Sequence, residues 1–191
     1  MIELITCGAT HGFLPLLEND SGIFSQIQVA VDSHKKHFGK EPKGIWLPEC
    51  AYRPKETQDD KVREAIDYWV NNSGIEYFFV DSHGILDAEM IESKNDIVFH
   101  TNFGYNLETG VSVFGRNKNS GRQVWDPRIG YPGDGNYREF HIKDPESWLR
   151  YWRITNKTFD KKKKELYNPE NARETVESHA NHFVSIVTDE F

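Results

Sequence analysis

Residues 2–84 alternate between short apolar runs and segments whose apolar residues recur at helical spacing. That alternation constrains the fold more than any other feature of the chain. Ile2 to Thr6 is apolar and largely β-branched and reads as a strand, followed by a loop from Gly8 to Pro15. Ile23, Ile27, Ala30, Val31, His34 and Phe38 then share one helical face, and Gly39 supplies the stop. Pro42 and Gly44 introduce a second strand, Ile45 to Leu47. Val62, Ala65, Ile66, Trp69 and Val70 predict a second helix, closed by Asn72 to Gly74. Tyr77 to Val80 reads as the third strand. This order implies a parallel sheet with right-handed crossovers.

Parallel strands end on one edge, and ligands of α/β folds bind beyond that edge. Here the three strand ends carry Thr10-His11, Glu49 and Asp81-Ser82-His83. Glu49 is the leading candidate, because it follows Pro48 at the lip of a short buried strand. Its carboxylate suits a nucleophile, a general base or a metal ligand. A helix cap or a pair with Arg53 is the structural alternative. His11 suits a donor to a substrate hydroxyl, or a loop histidine satisfied by backbone. Asp81 and His83 also read as a good turn. His34 and His37 have a possible metal spacing, but Lys35 and Lys36 between them favour a solvated face. Cys7, Cys50, His11 and Glu49 lack any CxxC or HExxH pattern, so no metal and no cofactor is expected.

Residues 87–144 are rich in Gly and Asn and read as a loop-heavy insertion with one strand, Val111 to Phe114. Trp125, Tyr131 and Tyr137 argue for order there. Arg122, Trp125 and Asp134 combine forked donors, a stacking face and an acceptor, which suits polyol recognition. An ordered loop held by an Arg–Asp pair is the equal alternative. Lys161 to Lys164 reads as a solvated surface turn. Asn168-Pro169-Glu170 is a helix start, and Ala172, Val176, His179, Ala180, Phe183 and Val187 continue that helix. With a strand at residue 1 and a helix running towards Phe191, the chain reads as part of one larger domain, cut at both ends.

The net charge is −7, which argues against nucleic-acid and anionic-membrane partners. No apolar run approaches the roughly 20 residues that span a bilayer, and the first residues do not read as a basic region followed by a hydrophobic signal segment. Two cysteines beside apolar runs read as free thiols in a reducing, cytoplasmic setting.

Four blocks carry a family resemblance. They are Thr6-Cys7-Gly8-Ala9-Thr10-His11-Gly12-Phe13-Leu14-Pro15; Gly44 to Tyr52; Gln123-Val124-Trp125 with Gly130-Tyr131-Pro132-Gly133-Asp134 and Tyr137-Arg138-Glu139-Phe140; and Tyr151-Trp152-Arg153-Ile154-Thr155. Together they resemble glycoside hydrolase family 57, and most of all its 1,4-α-glucan branching-enzyme branch. The resemblance implies an α/β fold that is part of a (β/α)7 barrel, acting on α-1,4-glucans (amylose, glycogen, maltooligosaccharides) in glycogen biosynthesis. It implies that Glu49 is the catalytic nucleophile of a retaining mechanism and that His11 is an active-site histidine. Trp125, Tyr131 and Asp134 become substrate-binding candidates. The family's general acid, an aspartate in a Tyr-Asp-Ala-Glu-Leu-Phe-Gly type block, has no counterpart here and is expected beyond Phe191. The isolated chain is therefore expected to be inactive.

Amylase and 4-α-glucanotransferase activities are alternatives within the same family. A metal-dependent polysaccharide deacetylase would need an HxxxH motif in addition to an Asp-Asp pair, and the sequence has no HxxxH motif. A non-catalytic glucan-binding fragment remains a further alternative.

Overall fold

Two prolines and a glycine set the length of the second parallel strand. Pro42 offers no N–H to a ladder, Pro48 ends the run, and Gly44 lets a neighbouring ring lie against the backbone. The structure, a computed structural model, describes residues 2–58, 61–88, 98–155 and 161–190. The chain divides into two compact units, Met1–Arg116 and Asn117–Phe191.

In the first unit, β1 (Thr6–Cys7) leads into α1 (Asp20–Phe38), β2 (Gly44–Trp46), β3 (Glu56–Gln58) and β4 (Lys61–Arg63). Then come α2 (Ile66–Asn72), β5 (Tyr77–Val80), α3 (His83–Leu86), β6 (Gly104–Asn106) and β7 (Ser112–Gly115). The main sheet has the order β1-β2-β5-β7-β6. β1, β2, β5 and β7 are parallel neighbours, with Thr6 opposite Ile45, Gly44 opposite Tyr77 and Phe78 opposite Val113. β6 returns antiparallel to β7, and β3–β4 form a separate hairpin. β1 and β6 are the edges, so the described residues make an open, parallel-rich sheet.

Alternation along the strands separates two faces. Ile45, Phe78, Val80 and Val113 join Ile23, Ile27 and Val31 of α1 and Ile66 and Val70 of α2 in one apolar core. Trp46, Phe79 and Phe114 alternate with them and run as successive ring contacts, 5.7 and 6.0 Å between centroids. α1 is well terminated: the Asn19 side chain accepts from Gly22 N, and Gly39 closes it at φ 71°. Arg53 is buried beside α1, where Asp20 accepts from it at 3.3 Å, from Arg63 at 3.4 Å and from the Glu64 N–H at 2.9 Å. That network ties the β3–β4 hairpin to the helix N-terminus.

Three expectations for this unit need correction. The first strand is Thr6–Cys7 only: its pairing with β2 begins at Thr6 opposite Ile45, and Ile2–Ile5 precede it. Val62 belongs to β4, and the helix starts at Ile66 after the hairpin. His34 is buried, with its ring nitrogens 3.0 Å from the Lys40 carbonyl and 3.2 Å from the Leu4 carbonyl, so it is not on a solvated face. Residues 89–97 of the expected loop-rich stretch lie outside the described residues. The rest of its first half supplies β6 as well as the expected β7. No helix among the described residues is long and apolar enough to cross a membrane.

The second unit contains α4 (Lys118–Trp125), a three-residue turn Tyr131–Gly133 and α5 (Pro169–Thr188). Asn168 caps α5 and Pro169 occupies its first position, as the sequence implies. Lys164 departs from the expected solvated turn: its side chain is 0% exposed and donates to Glu139 at 3.1 Å. Burial pushes the Glu139 carboxyl up, but the His141 backbone N–H and Lys164 outweigh it and hold the group below its ordinary value.

A Cβ added at Gly44 would meet the Tyr77 ring at 2.3 Å. Gly44→Ala is expected to destabilise the chain by about 1–3 kcal/mol, read as a lower urea midpoint. Because the Glu139 pKa is depressed on folding, its contribution is present above about pH 4.3 and is lost as pH falls through the lower folded value. Glu139→Gln is expected to flatten the acid limb of a stability-against-pH curve in that window.

Candidate active site

The C-terminal ends of the parallel strands converge as expected, and the backbone there is under local strain. Among the described residues, four non-glycines have positive φ, and three of them are His11 (56°), Glu49 (58°) and Cys50 (53°). Each left-handed residue of this kind costs about 1 kcal/mol or more. The cost at Glu49 and Cys50 is met by a tight turn in which Cys50 N donates to Leu47 O at 2.8 Å and Ala51 N to Pro48 O at 3.2 Å. At His11 it is met by a loop pinned to α1. Ala9 N donates to Gln26 O at 3.0 Å, Thr10 N to Gln26 Oε1 at 2.9 Å, and Gln26 Nε2 returns a bond to Thr10 Oγ1 at 2.9 Å.

These two turns bring His11 Nε2 to 3.6 Å from Glu49 Oε1. The other ring nitrogen of His11 lies 3.2 Å from Cys7 Sγ. The Glu49 side chain is 73% exposed, so it is open to a ligand and carries none of the core. Arg53, the structural partner considered for Glu49, pairs with Asp20 and Glu56 instead. Burial pushes the Cys7 thiol above its ordinary value, with the Gly8 backbone opposing. Burial does the same at Cys50, where Arg116 opposes it.

Glu49 opens on a cavity of about 480 Å³ within the first unit. Phe13, Pro15, Tyr52, Phe78 and Leu107 supply its apolar wall, and Asp81 and His83 its polar one. Such a mix of apolar walls and a few convergent polar groups suits a small organic ligand. Asp81 is the second carboxylate on this cavity, and its Oδ1 accepts from Ser82 N at 3.0 Å. Tyr52 lies stacked on Phe78 with centroids 5.6 Å apart. Its hydroxyl donates to buried Asp67 at 2.8 Å, and the Thr109 hydroxyl donates to the other Asp67 oxygen at 2.6 Å. Burial first, then Asp67, pushes the Tyr52 hydroxyl far above its ordinary range. Asp67, Thr109 and Gln26 escaped the sequence reading. A polar residue on a short amphipathic helix gives no signal that both its oxygens are engaged.

Trp125, Tyr131 and Asp134 belong to the second unit. The Trp125 ring is 73% exposed at the end of α4. Tyr131 stacks on His179 with centroids 4.4 Å apart, and its hydroxyl meets His182 Nδ1 at 2.8 Å. Asp134 lies 3.5 Å from His179 Nε2, and Tyr137 meets His179 Nδ1 at 2.8 Å. Tyr131, Tyr137 and Asp134 of this loop thus converge on His179 and His182 of α5. Among the described residues, no group of three His, Cys, Asp or Glu side chains is arranged to hold a metal ion.

The sequence pattern of the glycosyl hydrolase family 57 matches residues 1–186. The chain belongs to that family. It is 45% identical to a 1,4-alpha-glucan branching enzyme of Thermococcus kodakarensis, over 97% of this chain and 29% of the relative. The crystal structure of a family 57 branching enzyme from the same archaeon superposes with a TM-score of 0.83 at 44% identity, covering 97% of this chain and 36% of that one. The alpha-amylase AmyC from Thermotoga maritima matches with a TM-score of 0.76 at 34% identity, over 98% of this chain and 37% of its own. The chain thus spans less than a third of the length of the curated branching enzyme.

Both thiols are expected to stay protonated near neutral pH and to alkylate slowly in the native chain. Cys7, half-buried, should react before Cys50, and both should react fully on unfolding. Timed iodoacetamide labelling with peptide mass mapping checks this, and rapid labelling of either native thiol would contradict it.

Proposed function

We propose that this chain is the nucleophile-bearing part of a retaining α-1,4-glucan-active enzyme, most specifically a 1,4-α-glucan branching enzyme. The observation that carries the reading is Glu49. It is a strained, exposed carboxylate at the lip of a parallel strand, 3.6 Å from His11, on a cavity lined by apolar and polar groups. The likeness to branching enzymes in both sequence and structure supports it. On this reading the open parallel sheet is one part of a (β/α)7 barrel.

Glu49 attacks C1 of the glucosyl unit, and the C1–O bond to the leaving chain breaks as the glycosyl ester forms. The leaving oxygen takes a proton from a general acid. The acceptor hydroxyl later returns a proton to that group as its oxygen displaces Glu49. In branching the acceptor is a glucan 6-hydroxyl, and in hydrolysis it is water. A retaining pair needs two carboxyl groups about 5–5.5 Å apart. Glu49 is half of such a pair, and this sequence holds no block of the family's acid type. His11 donates to the nucleophile or to a sugar hydroxyl. Trp125 offers a glucose-stacking face, and Tyr131 and Asp134 shape its loop. Hydrolysis is the second reading, favoured by the likeness to the Thermotoga amylase.

The 191-residue chain is expected to give no branching or hydrolysis of amylose on its own. A fluorinated α-glucosyl fluoride, whose leaving group needs no acid, tests Glu49 directly. Intact-mass and peptide analysis should find one glucosyl ester, at Glu49, absent from Glu49→Gln. An ester on another residue, or none under conditions where maltooligosaccharide binds, would overturn the nucleophile assignment. Binding that survives Glu49→Gln without any ester would favour a glucan-binding fragment.

A further inference from the structure

We infer that Cys7 is a positioning residue: its thiol fixes the tautomer of His11, so that the Nε2–H faces the Glu49 carboxylate. The inference rests on Glu49 and His11 forming the active pair and extends that pair by one group. A neutral imidazole carries a single N–H, and the partner of one nitrogen decides which nitrogen holds it. Cys7 Sγ is 3.2 Å from Nδ1, and Glu49 Oε1 is 3.6 Å from Nε2. An ionised carboxylate only accepts hydrogen bonds, whereas a thiol has a proton to give. With S–H donating to Nδ1, the lone N–H sits on Nε2 and points to Glu49. The opposite tautomer would set the Nε2 lone pair against carboxylate lone pairs and leave the thiol proton without this acceptor. Burial, which keeps the thiol protonated, supports the first arrangement.

The backbone favours the same assignment. Cys7 is the last residue of β1 and is held opposite Trp46 in the parallel ladder. His11, four residues on, is turned back by its left-handed conformation, with its N–H bonded to Gly8 O at 2.9 Å. Gln26 pins the intervening loop from α1. The thiol therefore meets the ring from a rigid strand, while the ring itself is half-exposed. Without the thiol, the loop would still present an imidazole near Glu49, but only the 3.6 Å approach of that exposed carboxylate would bias its tautomer.

The test is ¹⁵N NMR of the histidine side chains in the 191-residue chain, with His11→Gln identifying the His11 signals. The expected result is a dominant Nε2–H tautomer in the parent chain. It should be retained in Cys7→Ser, whose hydroxyl donates in the same place, and replaced by a mixture in folded Cys7→Ala. Ester formation with the fluoride probe should slow by up to about tenfold in Cys7→Ala and recover in Cys7→Ser. A dominant Nδ1–H tautomer in the parent chain overturns the proposal, whether or not the alanine variant folds. So does an unchanged tautomer in folded Cys7→Ala. If no ester forms in the parent chain, the nucleophile reading fails while the tautomer result is still read on its own.

Discussion

Parallel pairing carries the ends of successive strands to a common edge, and the candidate site depends on it. β1, β2 and β5 each contribute only two to four residues, too few to matter much as separate elements. Locked in register by Thr6 opposite Ile45 and Gly44 opposite Tyr77, they deliver Cys7, Glu49 and Asp81 to one side of the molecule. The helices fix that register from one face through a single apolar core, while the loops beyond the edge take on the strain. Three left-handed side chains sit at the strand ends because the core beneath them over-determines the backbone.

The division of labour between stability and chemistry is visible in the charges. Arg53, Asp20, Arg63 and Glu56 are close to one another and largely withdrawn from solvent, and they fasten a hairpin to a helix end. Glu49 and His11 are more exposed, and among the described residues they form an ion pair only with each other, with Cys7 on the far side of the His11 ring. A carboxylate that does not hold the fold together is free to form and break a bond.

Much of this was legible in the sequence. The strand–helix alternation, the Gly39 stop, the Asn168-Pro169 start and the polar strand ends all survive, because each rests on local chemistry: periodicity, a left-handed cap, a missing N–H. What was not legible depends on contacts distant in sequence. Val62 fits the helical spacing of Ala65 to Val70, yet it pairs across to Thr57, since hairpin formation outweighs period over so short a run. Lys164 looks like the end of a charged turn until Glu139, 25 residues away, turns it inward. Asp67 carries no pattern at all, and only the fold shows that Tyr52 and Thr109 both donate to it.

Asp67 also links parts of the chain that the sequence keeps apart. It joins α2 to Tyr52 on the cavity wall and to Thr109 in the turn that leads from β6 to β7. The same turn carries Leu107, another wall residue, and closes through Gly110 at φ 84°. The shape of the pocket is thus set partly from a surface hairpin more than fifty residues along the chain from Tyr52. Variation in that hairpin gives selection a way to reshape the pocket without altering the carboxylate on its rim.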